Sequence, residues 1–320
     1  MLSRLFSEAT LSLELKTKSP TLVKTGSGDE GTNVTTYRLR PDGHGERQPF
    51  IPGSSLKGAF RSHLERVVRG LRPAQDVVCD PFSWNTCGRV LKKAPTGREA
   101  YRGSCPACRM FGSTAVASRI SLTDAYLAPD QVTRTERRDG VAINRLTGGT
   151  DRHLLFSFEP MTAETRLLCQ ATLRNYEVWQ VGALLLLVQH LNAGHIRLGF
   201  GKSRGFGLVE AKATCLAISQ FGPGAKRADR CLWGLGKFLN VASEYGTAPD
   251  DCLESPPSEF EVTPEGLGTR LVYKGEALEV LTTEAIRRLV TVMEAWSPRQ
   301  LPSPREGDRS AGSSSVRSRA

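Results

Sequence analysis

The pattern of apolar residues predicts a mixture of strands and helices. Apolar and polar residues alternate over Leu11–Thr17, which is typical of a half-buried strand. Over Ser54–Leu71 the apolar residues recur on one helical face, and Lys57 and Arg61 lie on the other. Similar patterns predict further strands at Arg119–Leu127, His153–Phe158, Thr165–Leu173 and Phe206–Leu216. They also predict a second, strongly apolar helix at Tyr176–Leu191.

In chain order these elements run strand, helix, strand, strand, helix, strand. This is the order of the ferredoxin-like (RRM-like) fold, an α+β fold with two helices on one face of an antiparallel sheet. The other face of such a sheet is open, and RNA-binding modules often use it as a platform. We therefore predict a β-α-β-β-α-β core over residues 1–220. The segments at 153–158 and 165–173 fit either a hairpin or one broken strand.

Two connections are much longer than usual, which often marks functional loops. Residues 73–112 contain cysteines and loops, and residues 128–152 are polar and rich in Arg and Gly. Beyond residue 220 the pattern weakens, and we predict a C-terminal extension over 221–296. Its predicted elements are a helix at Asp229–Ala242, a hairpin at Thr269–Val280 and a helix at Thr283–Trp296. Residues 297–320 have almost nothing to bury and are predicted to be disordered.

Composition favours a basic globular protein. The 320 residues are 39% hydrophobic and 24% charged, close to the globular average, and no apolar run reaches the roughly 18 residues of a membrane span. The net charge is +10, and about +7 remains without residues 297–320. Such an excess favours a polyanion, most often nucleic acid, although it also aids solubility. Without the apolar core of a signal peptide, we expect a cytoplasmic protein with no membrane partner.

A group of cysteines predicts a metal site. Cys105 and Cys108 form a C-x-x-C turn, which places two thiolates on one tetrahedral ion, and Cys79 and Cys87 would complete the site. Four sulfur ligands would make it a closed, structural zinc site whose metal orders the surrounding loops. The alternatives are a redox pair or unrelated buried thiols, because only one C-x-x-C is present.

Gly199–Gly207 is a glycine-rich loop with basic residues between aromatic ones. Its Gly201-Lys202-Ser203 resembles the end of a P-loop, but Ile196 stands where that motif needs glycine, and a strand follows, not a helix. We therefore reject an NTPase. A loop carrying Lys202, Ser203 and Arg204 still suits close approach to phosphates. The alternative is a tight turn with solvated charges.

A second anion site is predicted at the start of the first helix. Phe50–Arg61 places a strand end before a helix N-terminus, where free amides can hold an anion. Lys57 and Arg61 are four residues apart and so share a helix face. Taken alone, this segment is most often just a helix start.

Catalytic candidates are few. His195, beside the glycine-rich loop, would suit RNA cleavage, although a lone loop histidine is more often simply exposed. In the polar N-terminal loop, Asp29, Glu30 and Asp42 could position a 2′-hydroxyl or bind a divalent ion. Solvated loop charges are the more common outcome.

Four segments follow one another in a characteristic order: Ile51–Gly58, Cys105–Ser113, Asp139–Gly148 and Gly199–Gly207. They resemble, in turn, the I-P-G-S-S-L-K-G, C-P-x-C-R-L-F-G-S and D-G-V-x-I-D-R-x-T-G segments and the glycine-rich loop of the RAMP superfamily (repeat-associated mysterious proteins) of type III CRISPR systems. Asn144 replaces the aspartate of the third segment. The resemblance extends over residues 10–216 and rests on all four segments together.

The resemblance implies a backbone subunit of a type III effector ribonucleoprotein. Such subunits repeat along the CRISPR RNA, hold its phosphates and present it to target RNA, beside neighbouring RAMP subunits and other effector proteins. Residues 128–152 would be the family's thumb hairpin, which wedges bases out of the duplex, and 73–112 its zinc-stabilised insertion. The implied RNA contacts are Lys57, Arg61, Arg134, Arg137, Arg138, Arg145, Lys202, Ser203 and Arg204.

Some family members cut target RNA with an aspartate in the loop before the first of these segments. The equivalent stretch here, Asn33–Arg38, has no aspartate, and Asp29 is the nearest substitute. Cleavage with Mg²⁺ would then depend on Asp29. Two further functions stay open. One is a metal-independent endoribonuclease of the same superfamily that processes CRISPR RNA precursor, with His195 as general acid or base. The other is a zinc-stabilised scaffold that contacts only proteins.

Overall fold

The computed structural model describes residues 4–24, 32–34, 37–39, 47–73, 76–94, 96–129, 131–132, 135–221, 231–239, 242–253, 261–265 and 268–297. Its strands are β1 (Ser7–Thr17), β2 (Thr32–Val34), β3 (Tyr37–Leu39), β4 (Arg47–Pro49), β5 (Ile120–Leu122), β6 (Tyr126–Leu127), β7 (Arg138–Ile143), β8 (Thr150–Glu159), β9 (Arg166–Arg174), β10 (Val209–Phe221), β11 (Leu232–Trp233), β12 (Cys252–Leu253), β13 (Glu261–Glu265) and β14 (Gly268–Tyr273). Its helices are α1 (Gly53–Leu71), α2 (Cys87–Val90), α3 (Gly97–Gly103), α4 (Pro106–Phe111), α5 (Val178–Asn192), α6 (Leu235–Phe238), α7 (Ala242–Tyr245) and α8 (Gly275–Glu294).

The central sheet is antiparallel and has the strand order β13-β14-β10-β1-β9-β5, with β6 also paired to β9. Strand β1 lies in its interior, where Leu11 pairs with Leu216 of β10 and with Ala171 of β9. Every second residue of β1 is buried, because successive side chains point to opposite faces of a strand. The prediction of an α+β fold around an antiparallel sheet is confirmed.

Helix α5 lies at the centre of the packing. It is apolar on all sides, a property of helices that are buried all round, and it contacts β10 as well as α1 and α8. Gly182 permits the close approach of α8, since a Cβ there would clash with the carbonyl of Ala285. The described residues after 221 therefore pack on the same core as the residues before them, because β14 continues the central sheet beside β10 and α8 covers α5.

Two predictions about the strands need correction. The strand predicted at Arg119–Leu127 is divided into β5 and β6, because Ala125 leaves the sheet to exchange backbone hydrogen bonds with Ile51. Strands β8 and β9 are neither a hairpin nor one broken strand: β9 belongs to the central sheet, whereas β8 pairs with β7 and β2. Met161, between them, bonds to Thr21 and thereby redirects the chain.

Two predictions for the C-terminal extension are also wrong. The helix expected at Asp229–Ala242 is replaced, in its described part, by β11 and α6. Gly234 and Gly236 pack there so closely on Asp251 and Ala248 that a Cβ would clash. The hairpin expected at Thr269–Val280 is instead formed by β13 and β14, and α8 begins directly afterwards at Gly275. None of the helices in the described ranges combines the length and the apolar character needed to cross a bilayer.

Candidate nucleic-acid interface and metal centre

Strands β7 and β8 form a hairpin that projects from the polar insertion. Asn144 closes its turn, because its side-chain oxygen accepts hydrogen bonds from the backbone N–H groups of Leu146 (2.9 Å) and Thr147 (3.2 Å). Asparagine thus supplies the acceptor that an aspartate would supply here. The hairpin carries apolar side chains into solvent: Ile143 is 66% exposed and Leu146 is 97% exposed.

The glycine-rich loop presents its basic residues on a single helical turn. Lys202, Ser203 and Arg204 form this turn, and all three are exposed. Gly201 (φ 72°) and Gly205 (φ 86°) flank it in the left-handed region, where a side chain would cost energy. The glycines therefore fix the turn and leave the three side chains free to meet a ligand.

An aromatic cluster joins this loop to the base of the hairpin. Phe158 and Phe206 pack edge to face with their ring centres 5.3 Å apart, and Phe156 lies 5.9 Å from Phe158. Leu22 is buried in the same cluster, and Phe200 packs against it. The cluster thereby connects three parts of the chain that are far apart in sequence.

Cations lie over the rings of this cluster. The distances from the cationic group to the ring centre are 3.8 Å for Lys24 and Phe200, 5.1 Å for Arg204 and Phe156, and 5.5 Å for Arg138 and Phe206. We call the following residues the cation–aromatic patch: Lys24, Arg138, Lys202, Arg204, Phe156, Phe200 and Phe206. Positive charge beside aromatic rings is what single-stranded nucleic acid needs, since cations hold phosphates and rings stack on bases.

The patch contains three of the predicted RNA-binding residues, Arg138, Lys202 and Arg204. Sequence reasoning missed Lys24 and Phe156. A signal existed for one of them, since Phe156 and Phe158 alternate along a predicted strand and so share one face. Lys24 lies far away in sequence, and nothing local to it indicates the loop it meets.

Of the other predicted hairpin arginines, Arg137 directly precedes β7 and Arg145 lies in the turn. Arg137 pairs with Asp139 (3.4 Å) and donates to the Ser157 hydroxyl (3.2 Å). A hydrogen bond from Ser157, reinforced by Arg137, lowers the pKa of Asp139. Arg145 is exposed in the turn. Arg134 and Asp29 lie outside the described residues.

Lys57 and Arg61 form hydrogen bonds within the protein. The Lys57 ammonium donates to the Ser118 hydroxyl (2.8 Å) and the Ile120 carbonyl (3.0 Å), and burial lowers the pKa of Lys57. Arg61 donates to Glu65 (3.0 Å) and to the sulfur of Cys108 (3.4 Å). These hydrogen bonds hold α1 against the cysteine cluster and lend no support to the predicted phosphate role.

Cys79, Cys87, Cys105 and Cys108 are brought together and buried, with their sulfur atoms all within 4.8 Å of one another. Cys79 lies 3.6 Å from Cys108 and 3.7 Å from Cys105, sulfur to sulfur. Four sulfurs at about 2.3 Å from a tetrahedral zinc ion would be about 3.8 Å apart, so the donor set fits zinc. Hydrogen bonds within the cluster and burial shift the four pKa values in opposite directions: the pKa of Cys79 and of Cys87 is lowered, and the pKa of Cys105 and of Cys108 is raised.

Three histidines form a row from α1 to the end of α5. Nε2 of His63 lies 2.7 Å from Nδ1 of His190, and the rings of His190 and His195 lie 5.3 Å apart, edge to face. Burial, with the neighbouring charges of His190 and others, lowers the pKa of His63 to about 4. Burial and then His195 likewise lower the pKa of His190. His195 is exposed at the end of the row.

Comparison with protein families gives one finding. A family model described as RAMPs, the RAMP superfamily, matches residues 14–210. The matched region runs from β1 into β10 and includes both the cysteine cluster and the cation–aromatic patch. No curated protein matches the chain.

Proposed function

The chain belongs to the RAMP superfamily, and from this premise we propose that it is a CRISPR RNA-binding backbone subunit of a type III effector complex. Membership indicates a CRISPR-associated RNA-binding function. The observation that carries the specific proposal is the cation–aromatic patch, which joins the glycine-rich loop to the base of the β7–β8 hairpin. As part of the proposal we expect the protein in the cytoplasm, bound to CRISPR RNA, target RNA and neighbouring RAMP subunits.

The strand order supports a ferredoxin-like core. In the order β10-β1-β9-β5, the two helices α1 and α5 each connect strands that are separated by one antiparallel neighbour. The cysteine cluster lies in the connection between α1 and β5 and would be the zinc-stabilised insertion. The β7–β8 hairpin lies in the connection between β6 and β9 and would be the thumb.

Two modes of RNA binding follow from this assignment. Lys202 and Arg204 would bind guide phosphates at the glycine-rich loop, where backbone and side chains can approach closely. At the hairpin, the exposed Ile143 and Leu146 would insert between bases. Insertion would remove their apolar surface from water, which is favourable.

Salt-dependent RNA binding tests the proposal. The affinity of the purified chain for single-stranded RNA should fall steeply with salt, because each bound phosphate releases counterions. Lys202→Ala combined with Arg204→Ala should reduce the slope of log affinity against log salt by about 0.7 for each phosphate that is no longer bound. Lys274→Ala with Arg287→Ala, two exposed cations on the extension, is the matched control and should leave the slope unchanged. Equal slopes for the two double variants would refute the phosphate role.

The subunit assignment needs the assembled complex. Purification of the complex from its host, followed by sequencing of the bound RNA, should return CRISPR RNA. Incubation of that complex with complementary RNA and Mg²⁺ would reveal target cleavage, and Asp29→Ala should abolish it if Asp29 acts as we predict. A complex without RNA would refute the assignment.

One observation favours a second candidate function. His195 is exposed and lies against the half-buried His190, which in turn contacts the buried His63, so a proton could pass along the row. This arrangement suits a metal-independent endoribonuclease that processes CRISPR RNA precursor, with His195 as general acid or base. Cleavage of precursor RNA in the presence of a chelator, abolished in His195→Ala, would favour it. Binding without cleavage would exclude it.

A further inference from the structure

A cavity of about 830 Å³ lies away from the cation–aromatic patch, between the cysteine-rich segment and the C-terminal helix. Residues around α2 and α3 form one side, the start of α5 forms the floor, and the last turns of α8 form the other side. Its volume lies in the range of small-molecule sites, roughly 300–1,000 Å³. Part of the wall is apolar, with Leu91, Val292 and Trp296.

Three arginines, Arg102, Arg109 and Arg288, line this cavity together with four acidic residues. Arg109 is only 5% exposed, and its guanidinium lies between the rings of Trp296 (4.5 Å) and Tyr101 (5.0 Å). It donates to Glu177 (3.4 Å) and to the Gly246 carbonyl (3.0 Å). Its buried Nε nevertheless has no acceptor among the described residues.

Two more buried donors in the wall share this condition. Nε1 of Trp179, a residue that is 1% exposed, and Nε of Arg288 have no hydrogen-bond partner within the described part of the chain. Arg288 also forms no ion pair with any of the described residues. A buried donor without an acceptor is unfavourable, because it has lost its hydrogen bonds to water, so three in one wall need an explanation.

The two buried acidic residues of the wall, Glu177 and Asp251, have partners, whereas Glu99 and Asp250 are exposed to solvent. Glu177 accepts from the Tyr101 hydroxyl (2.7 Å) and from Arg109, and it caps α5. Asp251 accepts from the backbone N–H of Val178 (3.1 Å). Among the buried side-chain groups of the wall, the atoms without a hydrogen-bond partner are therefore donors, and two of the three belong to guanidinium groups. A ligand that meets it must bring acceptors and, best of all, negative charge.

We propose that this cavity binds a small organic anion with an aromatic or apolar group, the chemical class to which nucleoside monophosphates belong. The anion would face Arg288 and Arg109, after small rotations that bring their donors to the cavity surface, and the ring would lie along Trp296, Leu91 and Val292. This site is separate from the RNA interface and does not depend on the proposed function.

Calorimetric titration of the full chain with AMP tests the site, with phosphorus NMR of the nucleotide as a second readout. AMP should bind saturably, while adenosine and inorganic phosphate, which each supply one half of the ligand, should bind at least about tenfold more weakly. Arg288→Ala should weaken AMP binding by about tenfold or more, because it removes a charge-assisted hydrogen bond. Arg287→Ala is the matched control: it lies next in the same helix, is exposed and pairs with Glu284.

The outcomes separate the alternatives. Single-stranded RNA should neither compete with AMP nor bind less well to Arg288→Ala, and competition would place AMP in the RNA interface and overturn the proposal. Absence of saturable binding up to about 10 mM of any of the three probes would show that the cavity holds only water. Equal affinities of Arg288→Ala and Arg287→Ala would also overturn it. Should Arg288→Ala fail to fold, Val292→Trp, which fills the apolar side, must abolish AMP binding.

Discussion

The guanidinium of Arg204 lies 5.1 Å from the ring centre of Phe156, and this interaction joins the glycine-rich loop to the β7–β8 hairpin. The loop and the hairpin are separate features of the sequence, and nothing local links them. A cation held over a ring stabilises by about 0.5–1 kcal/mol at an exposed site. The interaction therefore holds the guanidinium of Arg204 at the base of the hairpin, where the proposed phosphate contact would form.

Phe156→Leu should weaken RNA binding without changing its salt dependence. Leucine keeps the apolar cluster filled but removes the ring beneath Arg204, so we expect the Kd to rise about threefold to tenfold. The number of bound phosphates is unchanged, and so is the slope against salt. Phe82→Leu, at a phenylalanine that is 95% exposed on the cysteine-rich segment, is the control. An unchanged affinity would contradict the role of the ring, and a changed slope would mean that a phosphate contact is lost together with it.

Metal analysis should find a single zinc ion per chain. Cys108→Ser removes one of four sulfur ligands, so we expect release of the metal and a decrease of several kcal/mol in the unfolding free energy, about the scale at which metal binding and local folding are coupled. Cys215→Ser, in β10 and outside the cluster, should keep the metal. Zinc content and urea unfolding measure both effects. A folded chain that binds no metal would contradict the assignment.

Local patterns predicted the core elements well. Helix α1 begins and ends within a residue of the predicted Ser54–Leu71, and β1 extends the predicted Leu11–Thr17 by four residues towards the N-terminus. In β1 every second residue is buried, and in α1 the buried residues lie on one face, so the spacing of apolar residues along the chain is enough to predict both elements. The four cysteines were also found, because the chemistry of a tetrahedral site restricts the residue types and spacing that can build it.

The features that the sequence did not predict depend on contacts between residues that are far apart in the chain. Gly234 and Gly236 interrupt an apolar stretch that has helical periodicity, because they pack against Asp251. Lys57 and Arg61 lie on the polar face of α1, but both donate hydrogen bonds to other parts of the fold, Lys57 to Ser118 and Arg61 to Cys108. A helix face that looks solvated in the sequence is thus half-buried, and only the tertiary structure reveals it.

Gly182→Ala should destabilise the packing of α8 on α5. The added methyl would clash with the Ala285 carbonyl, and overpacking of this kind costs about 1–3 kcal/mol. Gly58→Ala is the control in α1, where a Cβ would have no neighbour within 4 Å. There we expect a gain of about 0.5–1 kcal/mol, because alanine is the better helix former. Urea unfolding compares them, and equal effects would contradict the close approach of the two helices.

The buried carboxyl group of Asp251 should give stability a pH dependence of defined sign. Burial, together with the charge of Glu177, raises the pKa of Asp251 to about 7, although hydrogen bonds from Val178 and Gly236 and the charge of Arg288 oppose the shift. The folded state therefore binds this proton more tightly than the unfolded chain, where the pKa is about 3.9.

The resulting stabilisation is complete below about pH 4 and disappears as the pH rises through about 7, since the charged form must then be buried. Its size is on the order of a few kcal/mol. The unfolding free energy of the wild type, measured relative to Asp251→Asn, should fall across this interval, because the amide cannot ionise. Asp250→Asn, at the exposed neighbouring residue, should follow the wild-type profile. If the difference between wild type and Asp251→Asn stays constant with pH, Asp251 does not titrate in the folded state as its burial requires.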